Sequence, residues 1–268
     1  IMPELPEVET ICNAIEQSID SPKIDEFKII NSKLRWKISG NIPSRVNGQV
    51  IKKIYRRAKY IVFEFDHGSL ITHLGMTGQF RKIQNGYSSH KHDHFFIKMS
   101  DDNIYVYNDV RKFGSIHWSS NVDKHFLIKN IGIEPLTEGF NSRYLKNKTT
   151  KSKMKIKNFI MDQKIVAGIG NIYASEALFL SKIRPNKKAN KLSKSMCDHL
   201  VKSIKIVLRK AIKYGGTSIK NYKTLDGNSG YFSQKLSVYG LDKCKCGEKI
   251  KNVKISGRSS FYCPKCQK

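Results

Sequence analysis

The spacing of apolar residues changes period partway along the chain, and this change constrains the fold more than any other feature. In the first half, Ile61, Phe63 and Phe65 alternate with Tyr60, Val62 and Glu64; the turn Asp66-His67-Gly68 follows, then Leu70, Thr72 and Leu74 alternate again. Phe95, Ile97 and Met99 repeat the pattern ahead of Ser100-Asp101-Asp102-Asn103, with Ile104 and Val106 beyond. Period two on either side of a polar turn predicts hairpins, hence an antiparallel sheet or sandwich. Pro6–Ser18 is the exception, because Val8, Ile11, Cys12 and Ile15 fall at helical spacing.

The second half changes to period 3.6. Asn158–Asp162 and Asn171–Ile183 have helical spacing. Ser193–Tyr214 is the clearest helix, with Met196, Leu200, Ile204, Leu208, Ala211 and Ile212 on one face, Ser193 as N-cap and Gly215-Gly216 as the stop. Between the halves, Glu134–Lys157 reads as a linker rich in lysine, and Asn221–Tyr231 as a long functional loop.

Charge points to the partner. The 268 residues carry 49 basic and 22 acidic side chains, a net charge of +27. A compact body repels itself at that charge, and a polyanion relieves the repulsion, so nucleic acid leads and an anionic membrane surface trails. Only 10 of the basic residues are Arg; Lys, a point charge, suits backbone phosphate better than base edges. The apolar runs are too short to span a bilayer. The acidic opening is expected not to be a signal peptide.

Four of the six cysteines lie at the end. Cys244-Lys245-Cys246 and Cys263-Pro264-Lys265-Cys266 bracket 16 residues. The second pair has the spacing of a zinc knuckle; the first is one residue short, which predicts strain where backbone amides would face the thiolates. Four thiolates leave no open position, so the expected cofactor is one structural Zn2+. This distribution favours a reducing compartment, and a cytoplasmic, nucleoid-associated location is expected. Cys12 and Cys197 fall on apolar helix faces and read as packing residues. His90, His92 and His94 alternate and are expected to line one sheet face.

The opening Pro3-Glu4-Leu5-Pro6-Glu7 fits a helix start, where Pro suits the first turn and acids suit the positive end of the dipole. It also offers chemistry, provided Pro3 is the first residue of the mature chain, with Ile1 and Met2 absent. A prolyl amine is then partly neutral at cellular pH. Its attack on C1′ of a deoxyribose gives a cationic iminium, an electron sink from which the 3′ phosphate is readily eliminated. Glu4 is placed to protonate the ring oxygen.

Pro3–Thr10, Arg56–Tyr60, His73–Gly78, Lys91–His94, Asp109–Gly114, Gly168–Phe179, Gly230–Phe232 with the downstream Val238–Gly240, and Phe261–Lys268 occur in an order that resembles the bacterial formamidopyrimidine-DNA glycosylases nearly end to end. The resemblance implies an α+β architecture: an N-terminal antiparallel β-sandwich with a flanking helix, a helix-two-turn-helix domain and a C-terminal zinc-finger β-hairpin. The corresponding boundaries are 1–134, a linker at 135–150, 151–239 and 240–268.

It also implies roles. Pro3 is the Schiff-base nucleophile, Glu4 the general acid, and Glu7 orders the terminus. Lys59 lies in the active pocket, and His92 contacts the DNA backbone. Met76, Arg111 and Phe113 fill the gap left by an everted nucleotide, since C1′ of a stacked base is closed to attack. Asn171 and Arg258 grip phosphates, and Lys220 with Thr224–Tyr231 lies at the everted base. Cys244, Cys246, Cys263 and Cys266 hold zinc. The implied activity is excision of 8-oxoguanine and formamidopyrimidines, followed by β,δ-elimination at the abasic sugar, by a monomer acting on damaged duplex DNA. The alternatives are an endonuclease VIII-type enzyme for oxidised pyrimidines, a non-catalytic damage binder if Ile1-Met2 are retained, and a plain zinc-finger nucleic-acid-binding protein.

Overall fold

The computed structural model describes residues 2–84, 86–217 and 231–268. In chain order the elements are α1 (Leu5–Gln17), β1 (Ile24–Ile29), α2 (Ile42–Val46), β2 (Lys53–Arg57), β3 (Tyr60–Phe65), β4 (Gly68–His73), β5 (Gly78–Ile83), β6 (Asp93–Met99), β7 (Ile104–Asp109) and β8 (Ser115–Ser119). They continue with α3 (Ser142–Thr149), α4 (Ile156–Met161), α5 (Asn171–Leu180), α6 (Lys194–Lys213), β9 (Lys251–Ile255) and β10 (Arg258–Tyr262). Two compact units result, one of residues 1–129 with 215–231 and the other of residues 130–214 with 232–268.

The first unit is the expected antiparallel β-sandwich. One sheet has the order β1-β6-β7-β5 and the other β2-β3-β4-β8. The predicted hairpins form in register: Phe65 faces Gly68 across β3 and β4, and Lys98 faces Ile104 across β6 and β7. Inward residues of both sheets, Phe63, Leu70, Phe80, Phe95, Tyr107 and Ile116 among them, share one core. Within it Phe95 stacks on Phe27 at 5.2 Å and on Tyr107 at 4.9 Å. The helical stripe Val8, Ile11, Cys12 and Ile15 seals the core from α1.

The second unit is helical and ends in the β9–β10 hairpin. The α6 helix has the predicted cap, since Met196 N donates to Ser193 Oγ at 3.2 Å. Gly215 and Gly216 follow at φ +71 and +79, the left-handed region that stops a helix. Leu200, Ile204, Leu208 and Ala211 are buried. The stretch read as a linker differs from expectation, because residues 142–149 form α3. Asn141 Oδ1 caps it by accepting from Tyr144 N at 2.9 Å, and Leu145 and Thr149 are buried. Its lysines conceal this narrow apolar face in the sequence. No described helix is long and apolar enough to cross a membrane.

Candidate nucleic-acid interface and metal centre

The amino terminus builds a buried acid pair. Glu4 is the N-cap of α1, and a capping box closes on it: Glu4 N donates to Glu7 Oε2 at 2.9 Å, while the Glu4 side chain accepts from the Glu7 backbone. Pro3, Glu4 and Glu7 are all buried. Glu7 Oε1 accepts from both the backbone N (2.8 Å) and the hydroxyl (2.9 Å) of Thr217. Gly216 fits closely beside it, since a Cβ there would lie 2.9 Å from Glu7 Oε1. Glu7 thus joins the start of α1 to the neck of the 217–231 segment, which an isolated Thr217–Tyr231 bridge closes. Lys220 and residues 224–230 of the expected lesion loop lie outside the described residues.

Lys59 sits in the two-residue turn between β2 and β3, where Ala58 takes φ +53. Arg56 braces this turn, with Nη1 donating to Ala58 O at 2.9 Å and Nε to the Glu9 carboxylate of α1. Across β3 and β4 lies His73, which burial and then the charges of Lys59 and Arg35 bring down to about 4. It is therefore neutral near pH 7, and its Nδ1 accepts from Gly75 N at 3.0 Å.

Two loops carry the expected wedge. Met76 is half-buried in the turn before β5, whereas Arg111 and Phe113 are exposed after β7, with Phe113 44% accessible. The Arg111 guanidinium lies 4.7 Å from the Phe113 ring centroid. The loops meet backbone to backbone, as a Cβ on Gly75 would lie 2.4 Å from the Phe113 carbonyl carbon. An aromatic and a cation held on such a ledge suit insertion between base steps.

The three alternating histidines do not line one sheet face. The β6 strand begins only at Asp93, His92 turns at φ +72, and His94 is fully buried. Asp93 drives the break by accepting from His90 N (3.0 Å), Asn108 Nδ2 (which reaches Oδ1 at 2.8 Å), Tyr87 and Arg81. The resulting turn leaves His92 part-exposed.

In the second unit Asn171 opens α5 behind Gly168 (φ +78) and Gly170. Its Oδ1 accepts from Lys157 Nζ at 2.6 Å and its Nδ2 donates to Tyr239 OH at 3.3 Å. The Lys157 ammonium also donates to Ser259 O (2.8 Å) and Ser260 Oγ (2.7 Å) of β10. This lysine, 1% accessible, thereby uses three donors and fixes Asn171 against the strand that Arg258 begins. Arg258 itself is exposed beside the left-handed Ser256-Gly257 turn. Glu176 holds the 237–239 segment by accepting from three backbone N–H groups at 2.8–2.9 Å. Burial pushes its carboxyl up, and those N–H groups oppose the shift. Sequence reasoning missed Lys157 and Glu176: the first lies in a run of lysines, the second inside an ordinary helical stretch.

The four cysteines converge. Sulfurs about 2.3 Å from one zinc ion stand about 3.8 Å apart at the corners of a tetrahedron. Cys244 Sγ lies 3.9 Å from Cys266 Sγ and Cys246 Sγ lies 3.6 Å from Cys263 Sγ, with all four within 4.8 Å. The donor set and spacing fit a structural zinc. The short first pair keeps its amide contacts, contrary to the strain expected there. The Glu248 N–H faces the Cys246 sulfur and brings that thiol down to about 7, and the Cys246 N–H faces Cys244. Gly247, at φ +85, makes the tight turn possible.

A sandwich that presents a cation and an aromatic on paired loops, followed in the chain by a helical body with a four-thiolate hairpin, defines a zinc-containing, duplex-binding protein. Family models match the formamidopyrimidine-DNA glycosylase N-terminal domain at residues 2–116, its H2TH domain at 131–223, and the zinc finger found in FPG and IleRS at 243–268. The formamidopyrimidine-DNA glycosylase of Pasteurella multocida is 44% identical over 270 residues, covering 100% of both chains. A MutM in complex with carbocyclic 8-oxo-G containing DNA superposes with a TM-score of 0.89 at 40% identity, over 99% of this chain and 100% of that one. The Lactococcus lactis Fpg in complex with abasic-site DNA gives 0.89 at 38%, over 99% of each. The chain belongs to the formamidopyrimidine-DNA glycosylase family.

Proposed function

We propose that this chain excises oxidised purines, 8-oxoguanine and formamidopyrimidines, from duplex DNA and then cuts the abasic strand as a lyase. The observation that carries the reading is the sealed acid pair at the start of α1, with Pro3 beside it, in a chain that also bears the wedge loops. With Ile1 and Met2 removed, Pro3 Nα is a terminal secondary amine and attacks C1′; the N–C1′ bond forms, the bond from C1′ to the base nitrogen breaks, and the proton lost from Pro3 Nα balances the one the departing base takes up. Glu4 protonates O4′, which opens the sugar and leaves an iminium on Pro3. Loss of a C2′ proton then expels the 3′ phosphate, and a second elimination expels the 5′ phosphate, leaving a one-nucleotide gap. In the first unit Lys59 serves the active pocket and His92 contacts the DNA backbone; in the second, Asn171 and Arg258 grip phosphates. Zinc keeps the Arg258 hairpin folded. The working location is the bacterial cytoplasm at the nucleoid, where reduced cysteines and DNA coexist.

Borohydride reduction in the presence of 8-oxoguanine duplex should trap a covalent protein–DNA adduct at Pro3, mapped by peptide mass spectrometry. An adduct on a lysine, with none on Pro3, would reject the assigned nucleophile. Oxidised pyrimidines trapped in preference to purines would transfer the substrate class to the endonuclease VIII type.

Affinity and recognition should separate. Undamaged duplex binds through the positive surface, with a log–log salt slope of about 0.9 per neutralised phosphate. Phe113→Ala is expected to leave that slope unchanged while slowing 8-oxoguanine excision, because unstacking costs on the order of a few kcal/mol. Filter binding at several salt concentrations beside stopped-flow eversion checks this; a flattened slope with normal eversion would show that Phe113 is not a wedge.

A further inference from the structure

His94, the last residue of the Lys91–His94 motif, has no role in the reaction above. It is fully buried, and its ring lies between two backbone carbonyls, Nδ1 3.1 Å from Asn31 O and Nε2 3.0 Å from Asp109 O. Its own carbonyl accepts from Ile30 N at 2.9 Å and Asn31 N at 3.0 Å. Asp109 N in turn donates to His92 O at 3.0 Å. Both backbone polar groups of Asp109 are therefore held by residues 92–94.

Asp109 is the joint between the two wedge loops. Its carboxylate, also fully buried, accepts on Oδ1 from the Thr77 hydroxyl and from Arg111 N (3.2 Å), and on Oδ2 from Gly114 N at 2.7 Å. Thr77 Oγ1 also accepts from Arg111 N at 3.0 Å. Gly114 packs tightly here and leaves no room for a side chain, since a Cβ there would lie 1.8 Å from the Tyr107 hydroxyl. A buried carboxylate with directed donors does not rotate without orphaning an N–H group. In a close-packed interior a displacement at Asp109 must pass to both loops.

We propose that His94 is a positioning residue for base eversion: its ring, as the Nε2–H tautomer, donates to the Asp109 carbonyl and pins it, and Asp109 holds the Met76 loop and the Arg111–Phe113 loop as one body. The inference rests on the assignment of Met76, Arg111 and Phe113 as the wedge. His94 touches neither DNA nor the reacting atoms. Its effect is confined to steps that need an intact wedge.

The test uses the zinc-loaded protein with Pro3 as its first residue, under single-turnover conditions. His94→Leu should slow 8-oxoguanine excision from duplex by roughly tenfold to a hundredfold, with base eversion, followed by 2-aminopurine fluorescence, slowed in step. Cleavage of an abasic site in a single strand, which needs no unstacking, should stay within about twofold. His94→Gln, whose amide can still donate to one carbonyl, should recover part of the loss. In a Met76→Ala, Phe113→Ala background the His94 change should add little. Equal losses on duplex and single strand, or full additivity in that background, would overturn the proposal. Should His94→Leu melt below the assay temperature, Asp109→Asn, similar in size but with one oxygen to serve the contacts that Oδ1 and Oδ2 now share, is read by the same criteria. A parent chain that cleaves neither substrate overturns the glycosylase reading instead. Normal eversion in the Met76/Phe113 double variant overturns the wedge assignment and the His94 proposal with it.

Discussion

Glu4→Gln should bind damaged duplex as the parent does and yet excise 8-oxoguanine on the order of a thousandfold more slowly. The amide keeps the oxygen that accepts from the Glu7 backbone, so the capping box and α1 should survive. What it lacks is the proton for O4′. Single-turnover excision beside filter binding separates the two effects. Excision within a factor of about ten of the parent would remove Glu4 from the reaction; weakened binding would show that its role is structural. Glu7→Gln is a useful companion, because Glu7 Oε1 accepts twice from Thr217 and Glu7 Oε2 once from Glu4 N. An amide at that position cannot accept at all three contacts, so misordering of the terminus should lower trapping and excision together.

Removal of zinc carries the second large effect. Four thiolates couple the metal to folding of the terminal hairpin. Cys263 is fully buried, and its backbone N donates to Gln267 Oε1 at 2.9 Å, while Gln267 Nε2 donates to Ile183 O at 2.7 Å. Opening the site therefore loosens the join between the finger and the α5–α6 body. It also frees the Ser259 and Ser260 acceptors of Lys157, which would leave a buried ammonium short of partners. Cys263→Ala, or chelation, should lower affinity for abasic-site duplex by about one to two orders of magnitude, as expected for loss of the Arg258 phosphate contact and its neighbours. Metal analysis, with the binding isotherm, measures it. Protein free of zinc that still binds and cuts like the parent would reject the structural role.

Much of the fold was legible because it depends on neighbours in the chain. The hairpin through Asp66-His67-Gly68, the α1 stripe, the Ser193 cap and the cysteine spacing all involve residues a few positions apart, where a side-chain period or turn residue leaves a direct trace. The α3 helix escaped because its burial rests on Leu145 and Thr149 alone, among lysines. The histidines at 90, 92 and 94 misled because alternation implies a strand only while the backbone stays extended, and hydrogen bonds to Asp93 bend it at His92.

The sequence by itself determined the order of a β half, a helical half and a four-cysteine hairpin, and it marked Pro3, Glu4, the wedge residues and the zinc ligands through their motifs. Only the tertiary structure decided which polar groups are tied together. Glu7 meets Thr217 across 210 positions, Lys157 meets Ser260 across 103, and Thr77 meets Asp109 across 32. Such partners leave no period in a sequence. A buried charge must find its donors or acceptors wherever packing brings them, and packing is a property of the closed chain.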